Sequence, residues 1–459
     1  MQHRLSQSLS PKSVPGPQDS FFSGHLREMQ RDQLGFMLRL RERFGDLVRF
    51  RVFGSVFLYV CFDPQGIDHI LRINTQNYHK GSSLQRLTSL LGRENLFLQE
   101  GASWLRERRL AQPAFHRQRI AGLTSMMTAS VLALLERWQV YEQHQQVFDL
   151  SAEMMRLTLQ IVAKALFSVD VGVEASAVGH AFTTALEHLN HDLNALVPLP
   201  LWIPTASNRQ YTRALKMLNT VVARIIRERR GSQEDRGDLL SMFLLARDEE
   251  TGESMNDQQL RDEVMTMVFA GHETTANALT WTWYMLAQHP QVEQRLQDEL
   301  SLVLGGRVPT IEDLARLPYT RMILDEALRL YPPAPGVIRH ALNDDEMAGY
   351  HIPKGSEIAM YQYVTHRHPG LWEQPERFDP ERFLPERSAG RPRFAYFPFG
   401  GGPRLCIGNT FALTEAQLIL ATLAQTYKVR IVPEYPVIPE PLVTLRPRNG
   451  MQVTLQQRR

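Results

Sequence analysis

Cys61 and Cys406 are the only cysteines in 459 residues. So few thiols exclude a disulfide framework and a cysteine-rich zinc site. Excess charge is equally scarce. The chain has 51 Lys and Arg against 49 Asp and Glu, a net charge of +2, which gives no basic surplus for nucleic acid. No run approaches the ~20 apolar residues of a membrane span. The polar first 20 residues lack the apolar block of a signal peptide. No internal repeat occurs at solenoid periods, and no linker looks flexible enough to divide domains. The expectation is a soluble, cytoplasmic monomer with no transmembrane anchor. It has a flexible arm over 1–20 and a single domain over 21–459. A 43% hydrophobic content is ample for a large core.

A charged amphipathic helix is expected at about 26–44, then strands Leu47–Val52 and Val56–Phe62 turned at Gly54. From Asp63 to Leu330 the pattern is almost wholly helical, with breaks near 81–102, 168–176, 194–208, 230–237 and 305–311. Beyond Pro332, short strands (Gly336–Ala341, Glu357–Tyr363) lead into an irregular stretch, 364–405, rich in Pro, Arg and Phe. A helix over about 407–426 and strand-like segments close the chain. The class is mainly α with small β-sheets (α+β). Cys61, in the apolar run Val56–Phe62, reads as a buried small hydrophobe. A loop as long as 364–405 suggests a functional scaffold, and it delivers the other cysteine.

Cys406 sits in Phe399-Gly400-Gly401-Gly402-Pro403-Arg404-Leu405-Cys406-Ile407-Gly408, at the mouth of an apolar helix. The partial positive charge of a helix start favours thiolate, the form that binds metal. The glycines let backbone pass close to something flat or bulky. At roughly 5% per fixed residue, Phe, Gly, Arg, Cys and Gly at this spacing arise about once in a few million start positions. The Gly-x-Gly-x-x-Gly spacing of a dinucleotide loop fails at Leu405, and no Gly-Lys-Ser/Thr of a P-loop follows.

Three further patterns carry chemistry. Phe269-Ala270-Gly271-His272-Glu273-Thr274-Thr275 lies inside a helix of about 256–289. Gly271 there costs about 1 kcal/mol relative to Ala and marks a close approach or a local widening. Ala270 and Thr274 share a face, with Met267 on the same side. Glu273 and Thr274 set an acid beside a hydroxyl. Glu326 and Arg329 are three apart on a helix that Pro332 ends. Trp104 and Arg108 are four apart on one helix face.

The Cys406 segment resembles the haem-binding loop of the cytochrome P-450 superfamily, Phe-x-x-Gly-x-Arg-x-Cys-x-Gly, at every fixed position. The other three patterns resemble that family's Ala-Gly-x-Asp/Glu-Thr, Glu-x-x-Arg and Trp-x-x-x-Arg motifs and fall in family order. The resemblance spans nearly the whole chain. It implies one triangular-prism-like domain with haem b between a long central helix and the cysteine helix. It further implies that Cys406 is the axial thiolate of the haem iron, with Phe399 beside the sulfur and Gly408 at the helix mouth. A thiolate pushes electron density onto iron and favours O–O cleavage. Trp104, Arg108, Arg339 and Arg404 would hold the propionates, and Ala270 would lie over the haem. Thr274 would hydrogen-bond dioxygen, and Glu273 would help relay protons to it. Glu326 and Arg329 would brace the thiolate loop with a third arginine. Of Arg377 and Arg382, Arg382 fits the family's Phe-x-Pro-Glu-Arg-Phe at Phe378–Phe383 better.

The implied activity is insertion of one oxygen atom into an unactivated C–H or C=C bond of a lipophilic molecule such as a fatty acid, terpenoid or steroid. Leu87, Leu90, Leu96, Phe97, Met267, Ala270, Val337 and Ile338 are the expected pocket lining, with the apolar segment Ala195–Pro204 as lid. No flavin or nicotinamide domain is recognisable, so electrons would come from a ferredoxin or flavodoxin and its reductase. That partner would dock near Arg106, Arg109, Arg117 and Arg119. The alternatives are a peroxide-driven haem-thiolate enzyme, a rearrangement of an oxygenated lipid, or a haem-based sensor.

Overall fold

Alternating apolar residues in Leu47–Phe53 and Val56–Cys61 drive an antiparallel hairpin around Gly54. Gly54 takes the left-handed conformation (φ 50°) that glycine tolerates best. In the computed structural model, residues 12–18, 24–168, 172–194, 199–232, 234–248 and 250–458 are described. The chain forms two compact units. The first comprises Met1–Ser82, Gly336–Pro375 and Arg391–Leu405, and the second Ser83–Pro335, Glu376–Gly390 and Cys406–Arg459.

The first unit holds a five-stranded sheet. Its order is Leu47–Phe53, Val56–Cys61, Glu357–Met360, Val337–Ala341, Tyr78–Lys80. Val56–Cys61 runs parallel to Glu357–Met360, and the other pairs are antiparallel. The Tyr78–Lys80 strand falls where helix was expected, because three residues are too few to show a period of two. One apolar cluster includes Ile67, Ile70, Met360 and Phe394, another Phe36, Met37, Phe50 and Phe62. The expected helix at 26–44 is two helices, Leu26–Arg31 and Gln33–Phe44, parted at Asp32, whose carboxylate caps the second. Cys61 is buried as expected, and desolvation raises its thiol pKa to about 12.

The stretch expected to be a loose arm is held down over its described part. Val14 is buried, the Arg49 N–H donates to the Pro15 carbonyl at 2.8 Å, and Lys12 bridges to Tyr350. Residues 1–11 and 19–20 lie outside the described residues.

The second unit is helical around the central helix, Asp257–Gln288, which opens with an Asn256/Gln259 capping box. It packs against helices Leu150–Phe167, Pro318–Leu330 and Asn409–Thr426. A three-stranded sheet (Phe148–Asp149, Gln452–Gln457, Tyr427–Ile431) and the hairpin Pro439–Pro441/Leu445–Pro447 complete it. Among the described residues one helix, Arg117–Gln143, is long and apolar enough by composition to cross a membrane, contrary to the expectation. Its inner face, with Met127, Val131, Leu134 and Trp138, is buried in the core against Leu150–Phe167 and Asn409–Thr426. The stretch 364–405 also proves less irregular than expected. It is a chain of short helical turns, among them Pro380–Phe383, Arg393–Ala395 and Gly402–Arg404.

Candidate active site

The central helix is buried nearly all round, with Val264, Met265, Leu279, Trp281 and Trp283 facing different neighbours. Its middle carries one opening. Ala270 is exposed, and Thr274 and Ala278, four and eight residues on, are half-buried. This spacing makes one stripe. The Thr274 hydroxyl donates to the Ala270 carbonyl at 2.7 Å. Gly271 is needed by a neighbouring helix, since a Cβ there would stand 3.0 Å from the Val162 side chain. Met267 is buried one turn earlier.

Glu273 and Thr274 are adjacent in sequence, but the structure does not bring their side chains together. Neighbouring helix positions lie about 100° apart. The Glu273 carboxylate is buried and accepts from the Thr444 hydroxyl at 2.7 Å, and Thr444 accepts from the Asn277 amide at 3.0 Å. Sequence reasoning missed Thr444 and Asn277. Thr444 comes from the C-terminal hairpin, 171 residues away, with no local pattern to announce it.

Cys406 precedes helix Asn409–Thr426, whose N-cap is Gly408. Solvent reaches the thiol, yet protein surrounds it closely. Burial raises its pKa, against the lowering influence of the Gly408 N–H and the Arg108 charge. The Gly408 N–H and the Arg108 charge act in the direction expected of the helix start, toward thiolate, while desolvation opposes them. The same burial lowers the Arg108 pKa, while the Cys406 charge raises it. Arg108 and half-buried Trp104 lie on helix Gly101–Ala111. A Cβ on Gly408 would meet only the Phe115 ring, at 3.9 Å, which leaves room at the helix mouth. The loop glycines answer to protein neighbours. At Gly402 (φ 64°) a Cβ would lie 1.7 Å from the Leu71 carbonyl oxygen, and at Gly401 it would strike the Phe394 ring.

Glu326, Arg329 and Arg382 converge without solvent. Arg329 donates to both Glu326 oxygens at 2.7 and 2.8 Å, and Arg382 Nε reaches Glu326 at 3.3 Å. The Asp379 N–H adds a bond of 2.9 Å to Glu326. Arg377 contributes its carbonyl, which accepts from Arg329 at 3.2 Å. The second guanidinium beside Glu326 is therefore that of Arg382 and not Arg377.

In the first unit, Phe399 and Arg404 are half-buried, and Arg339 donates to the Ile338 carbonyl at 3.0 Å. Val337 and Ile338 are successive strand residues on opposite faces and pack against different apolar clusters. Leu90 is fully buried, and half-buried Phe97 meets Phe269 edge-on at 6.2 Å.

Two of the four arginines expected to receive a partner are already paired. Arg109 binds Asp248 and Glu250, and Arg106 binds Glu107 and Glu253. Arg117 and Arg119 are exposed and make no ion pair among the described residues. Arg117, Arg321, Ile311, Asn409, Thr410 and Leu413 line a cleft of about 820 Å³ at the start of the cysteine helix. One functional candidate was missed. Glu415 lies nine residues beyond Cys406 and is wholly buried among apolar residues. Neither of its oxygens makes a hydrogen bond of ordinary geometry. Burial pushes its pKa well up, against a partial lowering from the Thr275 hydroxyl. An acid inside so apolar a helix was the available signal.

The cytochrome P-450 family model matches residues 14–455. The chain belongs to the cytochrome P-450 family. It is 38% identical over 440 residues to cyclooctatin synthase of Streptomyces melanosporofaciens, covering 95% of this chain and 93% of that protein. It is 34% identical over 459 residues to pentalenene oxygenase of Streptomyces avermitilis, covering 100% and 99%. The crystal structure of the haem domain of cytochrome P-450DA matches with a TM-score of 0.89 at 30% identity, covering 98% of each chain. The protein is a monooxygenase-family enzyme, and membership implies haem, dioxygen and a lipophilic substrate. The second unit fits a haem. It offers a solvent-reached thiol at a helix mouth, a cation close to it, space over Gly408, and an open stripe on an otherwise sealed helix.

Proposed function

We propose that this P-450 hydroxylates or epoxidises a terpenoid, most simply a cyclic hydrocarbon or its alcohol. The relatives named for cyclooctatin and pentalenene support this substrate class. One observation carries the reading: the Cys406 thiol with Arg108 in its field, just before a helix packed against the one that opens at Ala270 and Thr274. When bound, the haem supplies the activation of dioxygen and the transfer of one oxygen atom to carbon.

The chain's own residues hold the ligand and move protons. Cys406 gives up its proton to become the thiolate ligand, helped by the Gly408 N–H and Arg108. Trp104, Arg108, Arg339 and Arg404 would hold the propionates of a bound haem, and Phe399 would pack beside the sulfur. Thr274, released from the Ala270 carbonyl, offers its Oγ1 proton on the open stripe. Glu273 resupplies that proton by exchanging Thr444 for water. Glu326, Arg329 and Arg382 hold the turn at 376–383 in place. Leu90, Phe97, Met267, Val337 and Ile338 contribute the apolar lining.

Residues 21–459 act as one catalytic domain in a cytoplasmic monomer. A ferredoxin or flavodoxin with its reductase supplies electrons at the cleft bounded by Arg117 and Arg321. Of the expected lid Ala195–Pro204, residues 195–198 lie outside the described residues, while Leu199, Leu201 and Trp202 are exposed, Trp202 at 81%. These suit an apolar entry.

Carbon monoxide added to the reduced protein tests the ligand. The strongly red-shifted Soret band of thiolate-ligated haem is expected, and Cys406→Ala abolishes it. An unshifted band in folded, haem-loaded wild type would overturn the assignment. Terpenoids should displace the haem's water in difference spectra, where fatty acids and steroids do not. Turnover with NAD(P)H and partner proteins should exceed that with peroxide alone. High salt and Arg117→Glu should slow the former only.

A further inference from the structure

The end of helix Thr88–Leu91 and the loop that follows it to residue 98 have buried main chain that must find hydrogen-bond partners. Three of them come from one tripeptide, Arg261-Asp262-Glu263, at the start of the central helix. Arg261 donates to the Leu90 carbonyl at 3.0 Å. Asp262 accepts the Glu94 N–H at 2.9 Å, and Glu263 accepts the Leu96 N–H at 2.5 Å. Both carboxylates are buried, Glu263 with no exposed surface. Between these anchors the Asn95 side chain closes the turn. It accepts the Phe97 and Leu98 N–H groups at 3.0 and 2.9 Å and donates to the Gly92 carbonyl at 3.1 Å. Gly92 (φ 82°) is the close-approach point, where a Cβ would stand 2.0 Å from the Asp262 carboxylate.

The loop is therefore anchored at three places along its main chain, and the last anchor lies one residue before Phe97. Phe97 stands edge-on to Phe269, the neighbour of Ala270 on the open stripe. We propose that Glu263 is a positioning residue for substrate selectivity: by holding the Leu96 N–H it sets where the Phe97 ring stands, and so the size of molecule admitted over Ala270. Arg261 and Asp262 hold the same wall further back. The inference rests on the reading that Phe97 lines the substrate pocket. It assigns selectivity to a residue that does not touch the substrate. A wall tied to the central helix by its backbone keeps its place whatever the ligand, so size is selected by a rigid surface.

Azoles of graded size test this without turnover, because each coordinates the haem and is read by its Soret shift. The probes are imidazole, phenylimidazole and biphenylylimidazole, titrated into wild type, Phe97→Ala, Glu263→Ala and the double variant. Glu263→Ala should change the ratio of biphenylylimidazole to imidazole affinity by about tenfold, the scale of one lost hydrogen bond, while imidazole binding itself stays constant. In the Phe97→Ala background the same change should have an effect below about twofold, since the ring that Glu263 positions is gone. An unchanged ratio in folded Glu263→Ala with a normal carbon monoxide band overturns the proposal. An equal shift in both backgrounds also overturns it, because Glu263 would then not act through Phe97. Should Glu263→Ala fail to fold, Glu263→Gln keeps an acceptor of lower charge. A two- to threefold ratio change then supports the role and none refutes it. If Phe97→Ala itself leaves the azole series unmoved, the pocket reading of Phe97 is what fails.

Discussion

The brace at Glu326 and the cluster at Glu273 are both buried polar networks of the second unit, and they are completed differently. Glu326 receives two donors from Arg329 and a main-chain N–H from Asp379, and it forms an ion pair with Arg382. Glu273 receives one neutral hydroxyl, from Thr444, and its Oε2 has no partner among the described residues. A saturated ionic network in low dielectric has no partner to exchange, so it fixes geometry. A carboxylate with an unused oxygen and one neutral donor changes partners at small cost, which suits a group that must pass protons. The difference separates a residue that holds the fold from one placed to work.

Breaking the brace should have the largest effect on stability. Arg329→Ala leaves the Glu326 carboxylate and Arg382 buried without their main partner, and a loss of about 3–5 kcal/mol is expected. Urea unfolding and haem retention measure it; a loss under about 1 kcal/mol would erase the contrast. Thr444→Val removes Glu273's donor at nearly constant shape. It should cost about 1–3 kcal/mol and alter product formed per NAD(P)H consumed. Unchanged coupling would show that Glu273 does not serve the relay.

Glu415 sharpens the comparison as a carboxyl with less support still. Its folded pKa lies above the ordinary 4.5, so the folded state holds the proton more tightly than the unfolded chain. That contribution is complete below pH 4.5 and is lost as pH rises toward the raised value. Glu415→Gln, neutral at every pH, should therefore gain thermal stability over wild type increasingly between pH 5 and 8. A gap that does not vary with pH would contradict the burial effect. Thr274→Ala should change stability least, within about 0.5 kcal/mol, because its hydroxyl bonds only within its own helix. Its effect belongs in coupling, as reducing equivalents released as peroxide. Tight coupling would remove Thr274 from the relay.

The parts of the site legible in the sequence share a physical trait: their geometry is local. The Phe399–Gly408 spacing, the i,i+3 pair Glu326/Arg329, the Trp104/Arg108 face and the Ala270/Thr274 stripe all follow from helix periodicity or one continuous loop. The mainly helical class with small sheets followed from long periodic runs in the same way. What misled was also local. A three-residue strand at Tyr78–Lys80 shows no period. Four arginines near one helix look alike in sequence, and the acids beside Arg106 and Arg109 set these two apart from Arg117 and Arg119.

By itself, then, the sequence determined the cysteine, its helix, the acid–hydroxyl motif on the central helix and the arginines able to face a carboxylate. Only the tertiary structure decided that Arg382 faces Glu326 while Arg377 lends its carbonyl. It alone turned Glu273 toward Thr444 and away from Thr274, pinned Leu96 to Glu263, and left Glu415 with almost nothing. These pairs span from 48 to 171 residues where they join distant segments. Chain order does not encode such meetings. They are set by which faces the packed helices bury together, and by the cost of burying a carboxylate without a donor.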